Sequence, residues 1–248
     1  MRLVKGLFMG AMYLVFAFGI ALELFIFIPA IVLYSLWKGP DPRRLQAVHR
    51  FLLRIWLFMM ARGGLLVVES VKGKPADNAS VIIANHPGLF DVIVLICTIP
   101  DVSVMVKRSL VSWVPLGPSV RLCGYVLGPD KGNPATGLDS VQGAVSQLQS
   151  GFHFMLFPEG SRSPKGDLSR FRPGAFKIAG RAGVQVQPVV IHNKPPFMTH
   201  GDPWYLPPFE RSRIVLEFLP PLVTPQSGVE RKLAKESRQH FRDILELN

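Results

Sequence analysis

Val81-Ile82-Ile83-Ala84-Asn85-His86-Pro87-Gly88-Leu89-Phe90-Asp91 is an apolar, β-branched run that ends in a polar turn. A short run of this kind reads as a buried strand delivering side chains to a sheet edge. Beyond the turn, Val92-Ile93-Val94-Leu95-Ile96 continues apolar and is expected to be a helix. One strand-to-helix turn therefore carries His86 and, five positions on, Asp91, with Pro87 and Gly88 shaping the backbone between them. That spacing suits a general base and its orienting carboxylate: the acid fixes the tautomer and stabilises the imidazolium, while the ring takes a proton from a hydroxyl. Taken alone, a loop histidine with an N-capping aspartate explains the same residues.

A second stretch shifts the balance. Phe157-Pro158-Glu159-Gly160-Ser161-Arg162-Ser163 also follows a strand-like run, Phe152 to Phe157, and places an acid, a glycine, two hydroxyls and an arginine in one loop. His-x4-Asp followed by Phe-Pro-Glu-Gly-Ser-Arg resembles the glycerolipid acyltransferase family, the 1-acylglycerol-3-phosphate (lysophosphatidic acid) acyltransferases and their relatives. Two further blocks fit in order: Lys107-Arg108-Ser109-Leu110 with Val114-Pro115-Leu116-Gly117, and Val186-Gln187-Pro188-Val189-Val190-Ile191. The resemblance covers roughly residues 60 to 195. It implies acyl transfer without a covalent enzyme intermediate, from acyl-CoA or acyl-carrier protein to the free hydroxyl of a lysophospholipid. His86 is then the base and Asp91 its orienter, and the tetrahedral oxyanion needs donors, for which backbone N–H groups near Gly160 are candidates. It implies no cofactor and no metal. One departure touches the acceptor: the family's second motif carries an acid after its basic pair, and Ser109 stands there. Relatives acylate other lysophospholipids and specialised lipids as well.

The residues themselves allow this chemistry. His86, Asp91, Lys107, Glu159 and Arg162 all fall just after expected strands, where α/β sheets collect functional loops. Lys107 and Arg162 read as substrate-binding cations aimed at a phosphate, one a point charge and the other a fork. Ser161 and Ser163, with N–H groups around Gly160, are further donors. Glu159 either touches substrate or holds the loop through an ion pair with the arginine. Arg172 and Lys177 read as solvated surface charge. His86 has no second His or Cys at metal-ligand spacing, and Ser161 does not lie in a Gly-x-Ser-x-Gly elbow.

Composition agrees with a lipid-facing enzyme. The chain has 248 residues and a formal net charge of +11, yet its mean hydropathy is +0.28. A basic chain that is also apolar points to an anionic lipid surface. No basic stripe interleaved with exposed aromatics, no zinc spacing and no P-loop supports nucleic acid as a partner. Cys97 and Cys123 are expected as buried thiols in a reducing compartment.

From Leu7 to Trp37 the chain is apolar except for Glu23 and small uncharged polar residues, longer than the ~20 residues that cross a bilayer core. Either a single tilted span, kinked before Pro29, or a helical pair broken near Gly19 or Pro29 and dipping into one leaflet is expected. In both arrangements the catalytic part faces the cytoplasm, with a bacterial inner membrane as the location. Residues 43 to 62 read as an amphipathic helix with Leu45, Val48, Leu52, Ile55, Trp56 and Met59 on its apolar face. The expected division is residues 1–62 for membrane anchoring and 63–248 for the catalytic domain. The fold class is α/β: a mostly parallel mixed sheet flanked by helices behind an N-terminal hydrophobic anchoring segment. Strands are expected at 65–68, 81–84, 102–106, 122–127, 152–157, 184–191 and 213–219. A capping box of Ser227 and Glu230 is expected to open a terminal helix, and the Pro-rich stretch from Pro195 to Pro208 reads as a channel wall or a surface loop. A non-catalytic membrane-surface binding protein is the reading of a different class; a His-Asp pair in a cleft argues against it.

Overall fold

A computed structural model of the chain describes residues 2–39, 41–111, 117–130, 132–133, 135–203 and 206–247. The N-terminal segment winds as α1 (Arg2–Leu22) and α2 (Ile28–Lys38), joined by a π-helical turn from Glu23 to Phe27. There follow α3 (Pro42–Arg62), β1 (Leu66–Lys72), β2 (Val81–Ala84), α4 (Asp91–Thr98), β3 (Val102–Val106), the short α5 (Arg108–Val111) and α6 (Gly117–Leu122), and β4 (Val126–Leu127). The C-terminal half adds α7 (Ala135–Gln149), β5 (His153–Leu156), α8 (Gly174–Ala182), β6 (Val186–Lys194), β7 (Ser212–Phe218) and α9 (Glu230–Ile244). Val114, Pro115 and Leu116 of the second sequence block, and Trp204 and Tyr205 of the Pro-rich stretch, lie outside the described residues.

Among the described residues the strands form one sheet in the order β1-β7-β6-β2-β5-β3-β4. Its ladders are parallel except that of β6 with β7. β2 lies between β6 and β5 and is buried at all four positions, as a strand covered on both faces by helices must be. Its alternation divides the interior. Val81 and Ile83 join Phe154, Phe176, Ala175 and Phe241 on one face, and Ile82 and Ala84 join Val94, Leu95, Trp56 and Met60 on the other. Because β2, β3, β5 and β6 run in one direction, the loops after them open on one sheet edge, where α/β folds place ligands.

The N-terminal segment is one unbroken helical path, not a pair broken near Gly19 or Pro29. Pro29 has no N–H to donate one turn back, and the wider π spacing just before it absorbs the missing bond. The stretch Val4–Lys38 is long and apolar enough to cross a membrane, and only 6% of its most apolar window is buried. Its partner is α3. The Trp56 indole N–H donates to Met12 O at 2.9 Å, and the ring packs on Phe16 and Phe90 with centroids 5.4 and 5.1 Å away. Asp41 caps α3 by accepting from Arg43 N–H, with Pro42 next in line. The helix buries Leu45, Leu53, Trp56 and Met60 but leaves Phe51, Ile55 and Phe58 exposed, so it carries two apolar stripes where one was expected. Met9, Met12, Leu53, Trp56 and Met60 share one core with the sheet and α4.

Two local expectations fail. Residues 117 to 122 wind as α6, so the strand expected over 122–127 is reduced to Val126–Leu127. α9 opens at Glu230 behind Val229, with no side-chain cap; the Glu230 carboxylate accepts instead from Gly228 N–H, and the box with Ser227 is not formed.

Trp56→Ala removes the largest ring joining α1, α3 and α4 and should cost about 3–5 kcal/mol. Chemical denaturation should show a lowered midpoint for Trp56→Ala and a much smaller change for the exposed Phe51→Ala.

Candidate functional site

The turn after β2 is built around a buried acid. Asp91, the first residue of α4, is 1% exposed and His86 has a side-chain exposure of 17%. Asp91 Oδ2 lies 2.9 Å from His86 Nδ1 and accepts the Gly88 N–H at 2.7 Å. The carboxylate thus closes the turn back onto the histidine and does not cap its own helix, whose cap residue is Phe90. Gly88 has no room for a side chain: a Cβ there would lie 2.8 Å from both Asn193 Nδ2 and Phe197 O. With Nδ1 engaged by Asp91, Nε2 is the ring nitrogen left to exchange a proton with a ligand.

Burial pushes the Asp91 carboxyl above its ordinary value of 3.8, against the pull of the His86 hydrogen bond and charge, the Gly88 N–H and the Arg162 charge. Its second oxygen, Oδ1, is buried without a hydrogen-bond partner among the described residues. The imidazole itself stacks on Phe157 at 3.9 Å between centroids and 12° between planes, which leaves the ring little freedom to tip. The sequence marks Phe157 as the end of a strand and the start of the Phe-Pro-Glu-Gly-Ser-Arg block, but not as the face under the imidazole.

The second loop is knitted to the first. Glu159 is 3% exposed. Its Oε1 accepts from the Ser163 hydroxyl at 2.6 Å and from His86 N–H at 3.2 Å, and its Oε2 accepts from Ser169 N–H at 2.8 Å. Ser163 returns a backbone bond to His86 O at 2.8 Å. Glu159 therefore faces inward and holds the two loops together, a correction to its expected place among substrate-binding residues. It does so through backbone and hydroxyl donors, not through the expected pairing with Arg162. Ser163, expected as a free donor, is buried in the same network. Gly160 donates its N–H to Phe157 O at 3.0 Å and takes φ of +76°, a left-handed conformation that glycine adopts without penalty. Ser161 and Lys107 are exposed at this edge.

Arg162 is half-buried and gives Nη1 to Met198 O and Thr199 O, both at 2.9 Å. Met198 O also accepts Leu89 N–H at 3.1 Å, so the His86–Asp91 turn and the arginine converge on one carbonyl. The Pro-rich stretch expected as channel wall or surface loop is in part a clamp: Phe197, Met198 and Thr199 are buried, and Lys165 pairs with Asp202 at 2.9 Å to hold it. Between this strap, residues 163–168 and the C-terminal Leu245 and Leu247 lies a cavity of about 1010 Å³. Asn85 anchors the turn from behind, its amide exchanging two bonds with the Ile191 backbone at 2.9 and 2.7 Å. Burial pushes the Cys97 thiol up to about 12, which keeps it inert.

Two stability effects follow. An acid whose folded pKa is raised favours folding below the ordinary value of 3.8 and loses that contribution as pH rises through the raised value. Asp91→Asn should therefore melt higher than the parent at neutral pH, with the gap closing as pH falls toward 4. Glu159→Ala leaves the Ser163 hydroxyl and the Ser169 N–H without their acceptor, while His86 N–H keeps Ser163 Oγ at 3.2 Å, and should cost about 2 kcal/mol, read from the same melts.

Residues 66–192, more than half of the chain, match the family model described as Acyltransferase. The chain is 28% identical to the 1-acyl-sn-glycerol-3-phosphate acyltransferase of Salmonella typhimurium over 185 residues, 73% of this chain and 72% of that one. It is likewise 28% identical to the Escherichia coli enzyme of the same description, over 70% of this chain and 69% of that one. With the chloroplastic enzyme of Arabidopsis thaliana it shares 25% identity over 65% of this chain, and it spans only 45% of that relative's length. The crystal structure of the 1-acyl-sn-glycerophosphate acyltransferase from Thermotoga maritima has the same fold, with a TM-score of 0.68 at 21% identity over 100% of this chain and 97% of that one. A seven-stranded mixed sheet, a His-x4-Asp turn at its edge and a matching family model place this chain in the acyltransferase family.

Proposed function

We propose that the protein transfers a fatty acyl group from acyl-CoA or acyl-carrier protein to the free hydroxyl of 1-acylglycerol 3-phosphate, forming phosphatidic acid. The observation that carries this reading is the His86–Asp91 pair: an imidazole with one nitrogen held by a buried carboxylate, set on a rigid aromatic face at an accessible sheet edge. His86 Nε2 takes the proton of the acceptor hydroxyl as the oxygen attacks the thioester carbonyl carbon. Collapse of the tetrahedral intermediate forms the ester C–O bond and breaks the C–S bond, and the proton passes from His86 to the departing thiolate. Asp91 stabilises the imidazolium in between. The oxyanion requires preorganised donors; with the Gly160 N–H engaged by Phe157 O, the N–H groups of Ser161 and Arg162 are the candidates. Lys107 and Ser161 face the acceptor phosphate in this reading, Arg162 can reach it only with the donors other than the Nη1 that holds the strap, Gly160 shapes the turn between them, and Glu159 sets the loop that presents them.

The N-terminal helices supply the membrane seat. Leu7, Leu14, Phe18, Phe25, Leu33, Leu36 and Trp37 on the first helical path, with Phe51, Ile55 and Phe58 on α3, are all exposed. An apolar surface of this extent marks a membrane or protein contact, and Arg62 beside Phe58 adds a cation for anionic headgroups. The location that fits is a bacterial inner membrane with the sheet on the cytoplasmic side, where acyl donors are made. Ser109, which departs from the family pattern, favours testing other lysolipids as acceptors.

The test is acyl transfer in detergent or vesicles from labelled acyl-CoA, and separately acyl-carrier protein, to lysophosphatidic acid. His86→Ala should lower kcat by at least about 10²- to 10⁴-fold without loss of fold. Wild-type inactivity with both donors would sink the phosphatidate reading. Activity restored only with a different lysolipid would move the acceptor, and equal behaviour of wild type and His86→Ala in all assays would leave a membrane-surface binder.

A further inference from the structure

Most basic side chains around the strand ends already have acceptors within the protein. Arg108 donates Nε to Gly128 O at 3.0 Å, Arg162 turns to the strap carbonyls, Lys165 pairs with Asp202, and Arg238 and Arg242 converge on Asp167. Arg172 differs. Its backbone N–H donates to Pro158 O at 2.8 Å, so the residue is tied to the Gly160 loop although twelve positions separate them in sequence. Its side chain lies back over that glycine: a Cβ built on Gly160 would stand 3.1 Å from Arg172 Cζ, 3.3 Å from Nε and 3.4 Å from Nη1. Among the described residues the guanidinium makes no hydrogen bond and no ion pair, and the residue is exposed. Glu159, the acid beside it in the loop, faces the other way with both oxygens engaged. A surface arginine with no task extends into water. This one is folded against the loop with its donors unused.

Lys107 stands at the same level. β3 and β5 run parallel with Val104 opposite Met155, and Lys107 follows the end of β3 as Pro158, whose carbonyl holds Arg172, follows the end of β5. Lys107 too is exposed without a partner among the described residues. A planar five-donor cation and a point charge thus stand in the connections after two neighbouring parallel strands at one sheet edge, and Gly160 contributes no side chain that would cover the guanidinium.

We propose that Arg172 is a substrate-binding residue that grips a phosphate ester through its guanidinium fork, with Lys107 adding charge beside it. The source of the phosphate rests on the acyl-transfer reading: it is the headgroup of the lysolipid acceptor or a phosphate of the CoA donor. Full-length protein in detergent would be titrated calorimetrically with sn-glycerol 3-phosphate and with CoA at low salt. Steady-state kinetics would be measured with lysophosphatidic acid and acyl-CoA varied in turn. Variants are R172A, R172K and, as a control, R170A, whose side chain is exposed and has no partner among the described residues. R172A should weaken binding of one probe and raise the matching KM by roughly 10- to 100-fold while kcat stays near the parent value. R172K should recover only part of this because an ammonium lacks the fork, and R170A should behave as wild type. A rise confined to the lysolipid KM assigns the phosphate to the acceptor; one confined to the acyl-CoA KM assigns it to the donor. Unchanged binding and KM values in R172A, a fall in kcat alone, or a wild type that binds neither probe would overturn the proposal. If wild type binds a probe through Arg172 yet transfers no acyl group, the acyl-transfer reading fails and the phosphate site stands.

Discussion

Placing a carboxylate out of water is costly unless donors surround the charge, and the turn after β2 is arranged around that cost. Asp91 is nearly inaccessible and receives one backbone N–H and one imidazole nitrogen on a single oxygen. The donor N–H belongs to Gly88, and that backbone comes close enough only because glycine has no Cβ to strike Asn193 and Phe197. The strap that crowds Gly88 is in turn held by Leu89 N–H and Arg162 meeting at Met198 O. Burial of one acid therefore dictates a glycine, a strap and an arginine, and it leaves the histidine oriented at the edge of the sheet.

The two acids of the site divide the work by direction. Asp91 faces the imidazole, and Glu159 faces the backbone, accepting from His86 N–H, Ser163 and Ser169. Both are buried, so the exposed groups of the loop edge are cations and hydroxyls: Lys107, Ser161 and Arg172. The formal net charge of +11 counts both acids, but turning them inward as structural acceptors leaves the exposed cations to set the potential of this edge.

The apolar N-terminal helices are not an appendage hung on the domain by a linker. Trp56 of α3 meets Phe90 at 5.1 Å, and Phe90 meets Phe197 of the strap at 5.7 Å. Phe90 immediately precedes Asp91. An aromatic series thus runs from the helices that expose apolar surface, through the residue before the buried acid, to the strap that covers it. Whatever contacts the exposed apolar surface of α1 and α3 is thereby coupled mechanically to the turn that holds the histidine.

Much of this was legible in the sequence. Apolar runs ending in polar turns marked β2, β3, β5 and β6, β-branched in β2, β3 and β6 and rich in phenylalanine around β5, because strand periodicity and turn chemistry are local properties. The His86–Asp91 spacing was legible for the same reason, since five residues in one turn can be judged without knowing the rest of the fold. What lay beyond the reach of sequence were contacts set by chain path. Glu159 looked like a ligand contact or an arginine partner, and only the approach of two strand-end loops turned it inward. Phe157 became the face under the imidazole because β5 lies beside β2. Arg172 read as solvated charge, and the return of the chain after β5 laid it on Gly160. The Ser227 capping box was a correct local pattern that the start of α9 did not use. Sequence determined most of the strands and the turn that holds the His86–Asp91 pair; tertiary structure decided which side chains hold that turn and which remain exposed, because direction of burial depends on neighbours distant in the chain.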